Sequence, residues 1–202
     1  MTSSRSRLLE FGDTIVGAVG GQIHYWKHGA ASFPHFLLSV RPPHVESILA
    51  GRKTVEFRRR FQGGTTPCAV WIYETRPAAR VVACATCRHR ERDRPDRIWL
   101  GHGESGGIAK EIFDAYCDGC EAVHALVLSL VTPLPHPLSI DVLRDVAGKG
   151  MPPMNFRSLE RKTAEQFMKL GVEGPSGRSD PLVPVQEHVA NAWRPSDRKE
   201  RS

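Results

Sequence analysis

The chain has 202 residues, 40% hydrophobic and 25% charged, which is the composition of a globular protein with room for one domain plus appendages. Basic residues outnumber acidic ones 28 to 22, a formal net charge of +6 that suits an anionic partner. No stretch approaches the about 18 consecutive apolar residues of a membrane helix, and MTSSRSRLLEFGD lacks an apolar signal region, so the expectation is a cytoplasmic protein with no membrane partner.

Residues 1–34 mix Gly, Ser and Ala with an apolar patch, IVGAVGGQIHYW, and show no sustained period. They read as an N-terminal extension, partly disordered, in which the patch is free to add a strand. From His35 the pattern sharpens. PHFLLSVR is a short apolar strand, and Pro42-Pro43 opens a helix over HVESILAG with Val45, Ile48 and Leu49 on one face and Gly51 as its stop. KTVEFRRRF alternates: Val55 and Phe57 point one way, Glu56 and Arg58 the other. Gly63-Gly64 is a turn, CAVWIYET a strand broken by Arg76-Pro77, and ARVVACATC another strand.

The run RHRERDRPDR carries five arginines against three acids and reads as a solvated loop. RIWLGHG follows as a helical turn. In GIAKEIFDAYCDG, residues Ile108, Ile112, Phe113 and Tyr116 fall at helical spacing before an Asp-Gly stop. AVHALVLSLVTPLP is the longest apolar run and predicts a central strand ended by two prolines. A helix over SIDVLRDV, a last short strand in MPPMNFRSLE, and one amphipathic helix over RKTAEQFMKLGV complete the order, with a polar, disordered tail behind. The class is α+β, with a small closed or half-closed barrel of five or six strands over residues 35–160 and a C-terminal helix and tail over 161–202.

Five cysteines include two C-x-x-C pairs, Cys84 with Cys87 and Cys117 with Cys120. An odd count argues against a disulfide framework. Zinc needs both sulfurs of a pair to converge, yet VVACATC is a strand whose residues three apart face opposite sides. The four therefore read as buried small hydrophobes, and no metal or cofactor is expected.

The densest chemistry lies in Gly51-Arg52-Lys53-Thr54-Val55-Glu56-Phe57-Arg58. Arg52 to Arg60 hold five cations against one carboxylate. Glu56 and Arg58, two apart on one face of a strand, sit roughly 7 Å from each other. They either pair or flank a ligand, Glu56 staying ionised among cations while Lys53 and Arg58 donate to phosphate or carbonyl oxygens. The same charges also suit a blunted edge strand. Trp71, Tyr73 and Trp99 are either stacking platforms or core.

The succession LLSVRPPHVESILAGRKTVEFR, VWIYETRPAARVVA, IWLGHGESGGIAKEIFDAY, AVHALVLSLV and PPMNFRSL resembles the ASCH domain, a PUA-like family. The resemblance implies a small β-barrel with flanking helices and a cleft beside the helix-to-strand loop. Its G-x-K-x-x-E-x-R signature falls on Gly51, Lys53, Glu56 and Arg58, and its Tyr-x-Thr-x-Pro element on Tyr73, Thr75 and Pro77. It implies binding of RNA or another nucleic acid, or of a modified nucleobase or nucleotide, in a regulatory role, with Lys53, Glu56, Arg58, Tyr73 and Thr75 as ligand residues, to which the arginine cluster beside them adds Arg59. Relatives described as transcriptional regulators pair the domain with a helix-turn-helix, which residues 1–34 do not provide.

The alternative is a small hydrolase working from the same cleft, with Lys53 as the candidate catalytic group. In one branch a Lys, Thr and Glu set hydrolyses acylated cytidine. Here Lys53 matches the lysine, but Glu56 stands where the threonine would be, and residues 81–87 hold no carboxylate. A metal-free ribonuclease activity is also associated with the family, for which Lys53, Arg58 and His89 or His102 are the candidate groups.

Overall fold

The computed structural model describes residues 33–62, 66–148 and 150–174, together with the backbone of three short strands ahead of them. Those strands, β1 (Leu8–Phe11), β2 (Thr14–Val19) and β3 (Gln22–Tyr25), make an antiparallel sheet of their own in the order β1-β2-β3. The apolar patch supplies most of β2 and β3. The Gly63-Gly64 turn and the tail beyond residue 174 lie outside the described residues.

The main body runs β4 (His35–Val40), α1 (Pro42–Leu49), β5 (Val55–Arg58), β6 (Cys68–Glu74), β7 (Arg80–Asp93), α2 (Pro95–His102), α3 (Lys110–Cys117), β8 (Val123–Ser139), α4 (Ile140–Ala147), β9 (Phe156–Leu159) and α5 (Arg161–Glu173). Six strands in the order β5-β8-β7-β6-β4-β9 curl into a half-barrel with five flanking helices, an α+β fold. All pairs are antiparallel except β4 with β6, whose crossover contains α1 and β5. Among the described residues no helix is long and apolar enough to cross a membrane.

Period-two alternation distributes the core. Phe36, Leu38 and Val40 of β4 and Val70 and Ile72 of β6 turn into the barrel, where Val45 and Ile48 of α1 and Leu126 and Leu128 of β8 meet them. Their neighbours Leu37, Trp71 and Tyr73 face outward and are covered by Leu143 of α4 and Phe167 of α5. A third cluster joins Val55 and Phe57 of β5 and Val123 and Ala125 of β8 to Ile98 of α2 and Phe113 of α3. Both faces of the central strands are buried, which is why β4 and β6 read as continuous apolar runs.

Three sequence expectations change here. The charged run after Cys87 is strand, not loop: β7 continues to Asp93, paired with β8 as far as Asp93↔Val123, while β6 stops opposite it at Cys68↔Cys87. With a neighbour on one side only, this half of β7 has no buried face to demand apolar residues. The prolines do not end β8 either, since Pro133, Pro135 and Pro137 lie within it, all exposed. β5 covers β8 only up to Val127, and beyond that point β8 has a free edge, where a missing N–H goes unnoticed. In α3 the buried face is Phe113 and Cys117, flanked by half-buried Tyr116, and Ile112 is 59% exposed.

Candidate functional site

Helix α1 ends at Gly51, whose φ of +70° turns the chain sharply, and Ser47 O then accepts from the Arg52 and Lys53 N–H groups at 2.9 and 3.0 Å. This turn delivers Lys53 to the start of β5. Strand alternation sends Val55 and Phe57 to the α2–α3 side and leaves Glu56 and Arg58 on the barrel side. The Glu56 carboxylate takes Lys53 Nζ on one oxygen at 3.1 Å and Arg58 Nη2 on the other at 2.9 Å. Lys53, Glu56 and Arg58 are 2, 6 and 7% exposed, so the signature residues form a buried network with one positive charge in excess.

The network ties four segments together. Lys53 Nζ donates to Gly106 O at 2.6 Å. Arg58 Nη2 donates to Ser39 O at 2.7 Å and Nη1 to Asn155 Oδ1 at 2.6 Å. Asn155 in turn donates from Nδ2 to Arg60 O at 3.3 Å, and Ser39 N–H donates to Asn155 O at 3.0 Å. β5 is an edge of the half-barrel, and the Arg58 guanidinium spans from it to β4 and to the segment leading into β9. Burial alone would raise the Glu56 pKa, but Arg58 and Lys53 outweigh it and hold the carboxyl below the ordinary carboxylate range.

Beside the network, half-buried His44 sits in the first turn of α1. Its burial lowers the imidazole pKa; Glu56 opposes this, Lys53, Arg41 and Arg58 reinforce it, and the net shift is downward. On the other side Arg59 N–H donates to Tyr116 Oη at 3.1 Å while its guanidinium stacks over that ring at 5.2 Å. Arg41, Arg52, Arg59 and Arg60 are exposed around these groups.

The glycine-rich turn 103–107, between α2 and α3, is shared by the network and an open groove of about 670 Å³. Trp99, Leu100, His102, Ser105 and Lys110 line that groove, Lys110 Nζ lying 5.8 Å from the Trp99 ring centroid. The turn closes over Lys53 because Ser105 O accepts from Thr54 N–H and Gly106 O from Lys53. A Cβ on Gly106 would overlap the Phe57 ring, itself packed 4.8 Å from Phe113. Gly106→Ala is therefore expected to displace the turn from Lys53 and cost about 1–3 kcal/mol, measurable by urea denaturation. An unchanged midpoint would show that the turn gives way freely.

Of the expected ligand residues, the fold brings Lys53, Glu56 and Arg58 together and sets Arg59 on the rim with Tyr116. Tyr73, 3% exposed, belongs with Trp71 to the cluster under α4 and α5, on the opposite face of the sheet. Thr75 lies just past β6, half-buried, with its N–H on Val40 O at 2.9 Å. His102 Nε2 is 2.8 Å from Glu91 Oε2, and His89 is exposed on β7. Trp99 packs on Phe113 with ring centroids 5.1 Å apart. Cys84 and Cys87 lie in different clusters, on opposite sheet faces, and Cys117 and Cys120 belong to a third. Among the described residues no group of His, Cys, Asp and Glu is placed to hold a metal ion. Sequence reading missed His44, Ser39, Asn155 and Tyr116. Only Tyr116 carried a signal, its helical spacing from Phe113.

No family model matches the chain. It is 26% identical over 134 residues to an ASCH domain-containing ribonuclease of Zymomonas mobilis subsp. mobilis, spanning 66% of this chain and 90% of that protein. The crystal structure of ASCH from Zymomonas mobilis superposes with a TM-score of 0.64 at 26% identity, covering 67% of this chain and 94% of that one. A point mutant of the same protein gives the same TM-score of 0.64, covering 67% and 95%. In fold, in ordered motifs and over nearly the whole length of that relative, this chain is similar to ASCH-domain proteins.

Proposed function

We propose that the domain binds RNA at the surface around the β5 edge, in a regulatory role set by occupancy. The carrying observation is the exposure of Arg52, Arg59 and Arg60 around a buried network that already has a cation in excess. Backbone phosphates are the counter-charge such a surface takes, and the groove beside Trp99 adds a ring for a base to stack on. The relative's name as a ribonuclease supports RNA as the class of nucleic acid. In this reading Lys53, Glu56 and Arg58 hold the loop and strand that present the arginines, with Lys53 next to the groove.

Binding of a single-stranded RNA oligonucleotide at several salt concentrations tests this. Affinity is expected to fall steeply with salt, and Arg59→Ala with Arg60→Ala to reduce the log–log slope by about 0.7 for each phosphate that the variant no longer neutralises. Salt-insensitive binding, or none, overturns the reading.

A second reading, RNA cleavage without a metal, is favoured by His44. Its lowered pKa leaves an unprotonated imidazole at neutral pH beside Lys53 and Arg58, which supplies a proton acceptor next to cations that would stabilise a phosphorane. Cleavage of the same oligonucleotide in the presence of EDTA, lost in His44→Ala with binding retained, selects this reading. Binding without cleavage at any neutral pH rejects it.

A further inference from the structure

Two buried side-chain nitrogens among the described residues have no hydrogen-bond partner, Arg58 Nε and His124 Nδ1. They are neighbours in the sheet. Arg58 of β5 is paired with His124 of β8, and His124 is paired with Arg92 of β7. Directly paired residues share a face, so Arg58, His124 and Arg92 form one row across three strands, and Glu56, Leu126 and Arg90 form the next. Leu126 belongs to the barrel interior, which places the row on that side of the sheet at the open end of the half-barrel, where Arg92 is exposed. The Phe61 ring lies against it, 6.4 Å from the His124 ring, and the Arg90 guanidinium lies 5.9 Å from the Phe61 ring.

The charges of this row are not balanced within it. Glu56 is engaged by Lys53 and Arg58. The acids of β7 alternate to the other face, where Glu91 meets His102 and Asp93 accepts from the Arg94 N–H. A guanidinium stays charged at any physiological pH, so Arg58 Nε keeps a donor in place. His124 is held neutral by its burial and by Arg90 and Arg92, and an anion seated beside it would reverse that pressure and make the ring a second donor.

We propose that Arg58, His124 and Arg92 form a seat for a phosphate monoester, the terminal phosphate of an RNA or of a free nucleotide. A monoester carries close to two negative charges and three acceptor oxygens, matching two guanidinium groups and an imidazole. Arg58 and His124 are 7 and 8% exposed while Arg92 is exposed, so the row runs from the buried end of the sheet out to its surface. RNA as the source rests on the function proposed above; the phosphate chemistry does not.

Three versions of one oligonucleotide decide the point: 5′-phosphorylated, 3′-phosphorylated and unphosphorylated, with a nucleoside monophosphate and inorganic phosphate as separate arms. One phosphorylated form is expected to bind about tenfold tighter than the unphosphorylated one. Arg92→Ala, a change at an exposed residue, and His124→Gln are each expected to abolish that preference while leaving the affinity for unphosphorylated RNA in place. In the nuclear magnetic resonance spectrum, inorganic phosphate is expected to shift the His124 ring signals and raise their titration midpoint. Equal affinity for all three RNAs with no response of His124 to phosphate overturns the seat and leaves RNA binding standing. A preference that survives both variants also overturns it. If no RNA binds but inorganic phosphate or the monophosphate still moves His124, the seat stands with a free nucleotide as its occupant, and the RNA reading falls.

Discussion

Replacing Glu56 by glutamine is expected to lower the stability of the domain by about 3–5 kcal/mol, read as a shift of the denaturant midpoint. Glutamine keeps the shape of the side chain but leaves Lys53 and Arg58 facing each other, both buried, with no carboxylate between them. The penalty is the desolvation of two cations that have lost their common counter-ion, which is why one atom's change outweighs a whole surface ion pair. Glu46→Gln supplies the contrast. It removes the Glu46 partner of Arg52, a pair whose side chains are 78 and 61% exposed, and is expected to cost less than about 0.5 kcal/mol. Adding Lys53→Met to Glu56→Gln is expected to restore part of the loss, because one stranded charge leaves with the lysine. If Glu56→Gln matches the wild type, the network is solvated and its burial is not what holds the β5 edge.

The pH dependence follows from the same geometry. Arg58 and Lys53 overcome the effect of burial and hold the folded-state pKa of Glu56 below 4.5. The unfolded chain thus takes up this proton first as pH falls. The stabilisation is present in full above about 4.5 and is lost progressively as pH drops through the lower folded value. Glu56→Gln is expected to remove this acid-side slope as well as the stability itself.

How much of this was legible in the sequence depended on the range of the signal. Alternation over four residues was enough to separate Val55 and Phe57 from Glu56 and Arg58, and it placed Cys84 and Cys87 in different clusters. The same rule failed after Cys87, since a strand flanked on one side and wet on its faces has no apolar period to display. It also misjudged the prolines of β8, whose tolerance depends on which edge β5 leaves uncovered. The network's partners were out of reach for another reason. Gly106 is 53 residues from Lys53 and Asn155 is 97 from Arg58, and both contribute backbone or amide oxygens that any residue pattern hides. Tyr73 shows the limit of a motif: its position in the chain was readable, but parity turns it to the α4–α5 side of the sheet.

That outer side carries the other large expected effect. Phe167→Ala in α5 is expected to cost about 3–5 kcal/mol, because the ring is fully buried and packs edge-on against Trp71 at 5.5 Å between centroids. Relaxation cannot refill the space cheaply. Trp71 is itself fully buried, with its Nε1–H on His35 Nδ1 at 3.4 Å, and Gly171 one turn further on already lies close against Leu134. Gln166→Ala, on the exposed side of the same helix, is the control and is expected to stay within about 0.5 kcal/mol. Ending the chain after Glu160 removes Phe167 and Ala164 together and uncovers Trp71 and Leu134, so cooperative unfolding is expected to disappear from the calorimetric trace. A shortened chain that melts like the full one would show that α5 is an accessory. Phe167→Ala also separates folding from recognition. The Lys53–Glu56–Arg58 network lies on the barrel side of the sheet, so below its lowered melting temperature this variant is expected to bind RNA with wild-type affinity and salt slope.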